Sequence, residues 1–457
     1  MSRSKNYQKS IMQLLNSIQL KNYLYIIIPI LCFSFWSLSV IFYTNFNIHN
    51  AFDFPAIYYA GKYIFTHPEF VYSDKIYPPY PYAPAFATVF APVSLFPYII
   101  AAWIYFFILY TFGILIILEF NRILILKKVE TKFIRFLFLI VISNGYNIYK
   151  MFEILQTKLI VAYFLLFLLR REIQYREIHK DLFNFKFFFT QCLILSFAVS
   201  LVPQYVFFFL IYILNNVNYK ELFKYNQLKK YLLLVLAIII ENFMLFIMII
   251  ISPSTLMNFI QGGGNRGNRI LASNLTHSTI VKETVILPIE SLTSFLNVLN
   301  LYINVTFMSN FITGISLILM IVVTMILIFK DNLLLEQKFG YFALISLFLY
   351  TFYYLHYLVM LLPLVILLFI ETLSMEEKFV IFIKKNYFFF IGLISISTLY
   401  FMPPLYILLN LMRILFIIPL AILFLSWTIC YILISISLYY LNKNKKNLSN
   451  NGIPIEI

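Results

Sequence analysis

Asp53 stands in the run Ala51-Phe52-Asp53-Phe54-Pro55-Ala56-Ile57-Tyr58-Tyr59-Ala60-Gly61, just beyond an apolar segment at 23–43. A lone carboxylate at a membrane surface can take a proton from a sugar hydroxyl, which is general-base work. The same residue also suits a helix N-cap, because Phe-Pro follows it at the first turn. His356 lies in Leu355-His356-Tyr357, at a short break between two apolar runs. An ionisable group there serves either function or a hydrogen bond between helices. Arg266 and Arg269 lie in Gln261-Gly262-Gly263-Gly264-Asn265-Arg266-Gly267-Asn268-Arg269. Their guanidinium forks suit phosphate oxygens, in a bound donor or in lipid headgroups. Lys150, Glu153 and Thr157 follow helical spacing on one face, as an ion pair capping a hairpin or as a donor contact. No metal cluster is expected, since the five histidines are isolated from one another and from paired acids. Cys32, Cys192 and Cys430 are scattered through apolar segments and suit neither a disulfide framework nor a metal site.

The elements that carry these residues follow from composition. The chain has 457 residues, 62% of them hydrophobic and 12% charged. A soluble domain is roughly 45–50% apolar and about 25% charged. At about 20 residues per span, the apolar residues allow at most about 14 crossings. The fold class expected is therefore an all-α polytopic membrane protein with about 12 crossings, in a range of about 10–14. The net charge of +15 then reads as the positive-inside pattern and not as a nucleic-acid footprint.

Domain organisation is simple. Residues 1–22 form a basic cytoplasmic N-terminus, 23–441 a single transmembrane domain, and 442–457 a basic tail. The basic connections at 119–136, 170–186, 216–230 and 372–385 fall on the cytoplasmic side. Residues 44–83 and 253–285 are expected outside. The first of these loops is rich in Tyr, Phe and Pro, which suits short interfacial helices with aromatic rings at headgroup depth. The second is a glycine-rich flexible loop. The segment 84–97 sets a conflict: a full crossing there would put the basic loop 119–136 outside.

Several stretches in order resemble glycosyltransferase family 87, the polyprenol-phosphate-mannose-dependent mannosyltransferases of the GT-C superfamily. They are Asp53-Phe54 with Tyr58-Tyr59, then Val71-Tyr72, then Tyr77-Pro78-Pro79 and Tyr82-Ala83-Pro84, then Trp103. Leu155-Gln156-Thr157 resembles the family's Gly-Gln at the opening of a span, without the Gly. Ser200-Leu201-Val202-Pro203 resembles its Lys-Pro helix end, without the Lys. His356-Tyr357 followed by Pro363 resembles its His-Tyr before an apolar run. The resemblance covers about residues 50–365 and depends on order and spacing, each motif being short.

The resemblance implies a GT-C-type bundle, a polyprenyl-phosphate sugar donor reached from the bilayer, and a glycolipid or glycan acceptor on the external face of the cytoplasmic membrane. It implies Asp53 as the base, no cofactor, and an inverting displacement. A donor phosphate would need external cations or donors, for which His356, Arg266 and Arg269 are the candidates, and Tyr58, Tyr59, Tyr82, Gln156 and Tyr357 are expected around the substrates. A lipid-linked sugar flippase or other transporter, and an inactive family member, are the competing expectations.

Overall fold

The computed structural model describes residues 24–41, 54–72, 76, 80, 82–129, 132–143, 146–179, 184–201, 208–209, 225–241 and 334–348, with a few single positions at 243, 247, 250, 362–364, 366 and 367. Among the described residues the regular structure is helical throughout. The helices are α1 (Leu24–Ile41), α2 (Phe54–Tyr63), α3 (Pro84–Ser94), α4 (Tyr98–Leu126), α5 (Lys132–Ser143), α6 (Tyr146–Glu153), α7 (Lys158–His179), α8 (Phe185–Leu201), α9 (Tyr225–Glu241) and α10 (Leu335–Phe348). A 3-10 turn at Pro68–Phe70 follows α2.

Among the described residues, two helices are long and apolar enough to cross a membrane. α1 has 18 residues with mean hydropathy 2.2, and α4 has 29 with mean hydropathy 2.3 in its most apolar stretch. At 1.5 Å per residue, α4 runs about 43 Å against a hydrocarbon core about 30 Å thick. α3, with 11 residues, reaches only about 16 Å. It therefore cannot cross, and the conflict posed by 84–97 disappears. Proline sets this punctuation. Pro84 opens α3 after an extended Ala83 (φ −68°, ψ 155°), and Pro97 caps α4. The missing N–H of proline costs nothing at these positions, where it would have no intrahelical acceptor.

α1 lies antiparallel to α4. The Ser34 and Tyr110 hydroxyls are 2.6 Å apart, and Tyr25 meets Phe136 edge-on just beyond the far end of α4. Gly113 lets Phe33 lie directly on the α4 backbone, since a Cβ there would collide with the ring. The serines of α1 are satisfied locally, with Ser37 donating to the Phe33 carbonyl at 2.9 Å. α7 runs parallel to α4: Phe106 meets Phe152 just before α7, Phe112 meets Tyr163, and Glu119 meets Arg170. α8 returns antiparallel along α7, pairing Phe187 with Tyr175, Gln191 with Leu168, and Phe197 with Phe164.

The described bundle consequently has two unlike ends. One holds α2, α3, the start of α4, the 155–158 turn and the end of α8. The other holds the charges. There the buried Glu119 carboxylate accepts from Arg122 at 2.6 Å and from Arg170, and Arg170 also donates to Gln174 at 2.6 Å. Lys127 and Glu336 pair at 2.5 Å, linking α10 to the same end. α4 runs to Leu126 and α7 to His179, and the Glu119, Arg122 and Arg170 ion pairs lie within their C-terminal halves. The apolar stretch after the 119–136 connection is two helices, α5 ending at Ser143 and α6 beginning at Tyr146.

Candidate functional site

The aromatic end is built around α2. Phe54, the residue after Asp53, is fully buried and wedges between Phe90, Tyr98 and Tyr105, with ring centroids 6.0, 5.2 and 5.7 Å away. Burying one such ring contributes about 1.5–3 kcal/mol. Gly61 allows α2 to approach α3 closely, because a Cβ there would run into Ser94. Tyr58 is buried, and its hydroxyl donates to the Phe96 carbonyl at 3.0 Å. Tyr59 is 36% exposed and stacks on Tyr63 at 6.3 Å. Of the two neighbours, Tyr59 is the exposed one, while Tyr58 holds α2 to the start of α4.

The entry into α3 is a hydrogen-bonded aromatic knot. The Tyr72 hydroxyl donates to the Tyr82 carbonyl at 2.8 Å, and the Tyr80 hydroxyl to the Ala83 carbonyl at 3.1 Å. Burial pushes both hydroxyls well above the ordinary tyrosine pKa range, and the neighbouring Tyr72 and Tyr82 add to the shift at Tyr80. Both therefore remain neutral donors. Tyr82 is itself buried, its ring 5.5 Å from Tyr80 and from Phe86. The Ala83 N–H then donates to the Ser200 carbonyl at the end of α8, at 3.0 Å. That bond joins the Tyr82-Ala83-Pro84 stretch to the Ser200–Pro203 stretch.

The third component is the turn between α6 and α7. The Gln156 N–H donates to the Met151 carbonyl at 3.0 Å and the Leu155 N–H to the Phe152 carbonyl at 3.4 Å. These two bonds form a Schellman C-cap, with Leu155 at the position that requires a left-handed backbone. Its φ is indeed 54°. Gln156, Thr157 and Lys158 follow, all buried. The turn ends the helical face, so Glu153 closes α6 while Thr157 stands at the head of α7. Lys150, Glu153 and Thr157 do not share one helix, because α6 ends at Glu153 and the left-handed turn at Leu155 intervenes.

Of the residues picked out by sequence, Tyr58, Tyr59, Tyr82 and Gln156 gather at this one end. Asp53, Arg266, Arg269, His356 and Tyr357 lie outside the described residues. Lys158 was not among those picked out, and it adds a buried cation at the same end. Its signal was present as a polar run, Gln156-Thr157-Lys158, opening an otherwise apolar helix. Compared with family models, curated proteins and solved structures, the chain matches none.

Proposed function

We propose that the protein is a membrane glycosyltransferase that moves a hexose, mannose by the resemblance, from a polyprenyl phosphate sugar to a hydroxyl of a glycolipid or glycan acceptor. The observation that carries this reading is the gathering of separated motifs at one end of the bundle. Tyr58-Tyr59, Tyr82-Ala83-Pro84, Leu155-Gln156 and Ser200 come from four distant parts of the chain. The left-handed Leu155 adds support, since the family's glycine belongs at a position of that conformation.

In this reading the aromatic end faces outward, α1 leaves the cytoplasm and α4 returns to it, within a bundle of about 12 crossings. The Asp53 carboxylate accepts the proton of the acceptor hydroxyl. The resulting oxygen attacks the anomeric carbon, the carbon–oxygen bond to phosphate breaks, and polyprenyl phosphate leaves with the electron pair. One displacement inverts the anomeric centre. The leaving group carries its own phosphate, so the chemistry needs cationic or N–H stabilisation of that phosphate as charge develops.

The test is transfer of labelled mannose from a short-chain polyprenyl phosphate mannose to membrane lipid extract by the purified protein. Wild type should transfer, with or without EDTA. Asp53→Asn should lose at least about 100-fold of the rate, the lower end of the range for general-base catalysis, at unchanged expression. Undiminished transfer by Asp53→Asn removes Asp53 as the base. A wild type that transfers no sugar, yet moves a lipid-linked oligosaccharide across vesicles, replaces the enzyme with a flippase.

A further inference from the structure

Thr157 occupies the N-cap of α7. It directly precedes Lys158, and its carbonyl accepts the Ile160 N–H at 3.0 Å. An N-cap threonine ordinarily turns its hydroxyl over the first turn and accepts an N–H there. Here Oγ1 is fully buried and has no hydrogen-bond partner among the described residues. A buried hydroxyl left this way is destabilising, and valine would fill the same space without that cost. Lys158 is the first residue of α7 and is 4% exposed. A cation at a helix N-terminus is repelled by the helix dipole and further penalised by burial. The Thr157 hydroxyl becomes a satisfied donor when an anion sits at the head of α7. The first turn then offers N–H donors, Thr157 a hydroxyl donor and Lys158 a charge.

We propose that Thr157, Lys158 and the first turn of α7 form a binding site for the phosphate of a membrane lipid. α7 has 22 residues, so its dipole is fully developed. The site lies beside Phe152, which packs between Phe33 of α1 and Phe106 of α4. The phosphate must therefore arrive on a molecule compatible with an apolar bundle. Two sources share this chemistry: a polyprenyl phosphate and an anionic phospholipid headgroup. For the first source the inference rests on the transferase reading above and supplies its donor-phosphate contact. The second stands without it.

Thermal unfolding of the full chain in neutral detergent tests the site, using farnesyl phosphate, farnesol and phosphatidylglycerol as probes. Wild type should be stabilised by a phosphate-bearing lipid and not by farnesol. Thr157→Val should match or exceed the wild-type melting temperature without lipid, yet bind the lipid phosphate several-fold more weakly. Lys158→Gln should weaken that binding about 10-fold or more, the scale of a charge-assisted contact. Displacement of phosphatidylglycerol by farnesyl phosphate assigns the site to the polyprenyl phosphate; the reverse assigns it to a headgroup. Equal stabilisation of wild type and Thr157→Val, or none that depends on phosphate, overturns the site, and Thr157→Val decides it even if Lys158→Gln fails to fold. The two readings fail separately. Transfer that is indifferent to Thr157→Val and Lys158→Gln removes the site as the donor-phosphate contact and leaves the transferase. Phosphate binding without transfer leaves the site and removes the transferase.

Discussion

Glu119 is a carboxylate in the last third of α4, with its side chain only 3% exposed. It is tolerable because two guanidiniums reach it, Arg122 from one turn along and Arg170 from α7. Arg122 is more than half exposed, so Arg170 supplies the shielded contact. Arg170→Met should therefore cost about 3–5 kcal/mol, the penalty for leaving one member of a buried pair. Replacing both, as Glu119→Leu with Arg170→Met, should cost much less. Thermal unfolding of the three variants in detergent checks this, and equal losses in single and double variants would remove the pair as the cause. Tyr72 acts at the other end. Tyr72→Phe strips the Tyr82 carbonyl of its donor, at a cost of about 1 kcal/mol. It should also blunt alkaline unfolding. A tyrosine whose pKa is raised in the folded state contributes stability that is fully present below about pH 10 and lost as pH rises through the folded value. Melting temperature followed from pH 8 upward should fall less steeply in the variant. Charge and proline at these positions were visible in the sequence. Which arginine would reach Glu119 was not, because residues 119 and 170 meet only once α4 and α7 lie side by side.

Two helix ends use the same cap with different consequences. After α4, the Val129 N–H bonds the Leu124 carbonyl and the Lys128 N–H the Ile125 carbonyl, both at 3.0 Å, and Lys128 has φ 54°. After α6, Leu155 takes the same place with the same φ. A left-handed backbone costs a residue with a Cβ about 1–2 kcal/mol. Lys128 is exposed, so Lys128→Gly should raise stability by about 1 kcal/mol. Leu155 is fully buried. Leu155→Gly relieves the same strain but loses a leucine's burial and leaves a cavity, worth about 3–5 kcal/mol in leucine truncations. The net should be a loss of about 2 kcal/mol, since burial outweighs strain. Opposite shifts in melting temperature for the two glycine variants check the comparison, and shifts of one sign would refute it. Helix starts at Pro84 and after Pro97 were legible because proline acts locally. The ends at Leu126 and Glu153 were not, since neither carries glycine and both depend on what the next helix packs against.

At the scale of the molecule, the antiparallel α1–α4 pair and the parallel α4–α7 pair send like residues to like ends. Among the described residues, aromatic and proline-rich stretches gather at one end, and the pairs of Glu119, Glu172 and Glu336 with Arg122, Arg170, Arg176 and Lys127 at the other. An end rich in basic residues belongs on the cytoplasmic face, and aromatic rings suit the headgroup layer. Lys62 on α2 and Arg122 on α4 are both exposed. In a chain whose three cysteines are replaced by serine, Lys62→Cys should react with an impermeant maleimide on intact cells. Arg122→Cys should react only after permeabilisation. Labelling of both from one side would contradict the arrangement proposed for α4.

The sequence by itself determined the helical class and the two long apolar helices α1 and α4, because each depends only on residue type and local spacing. It also determined where proline begins a helix. Proline bounds the short helix 84–94, but packing alone laid it on α2. Packing alone also brought Ala83 to Ser200, and set Thr157 and Lys158 at the head of α7. The physical reason is that hydropathy and backbone preference act within a few residues. Hydrogen bonds and ion pairs between segments a hundred residues apart exist only after the helices have taken their directions.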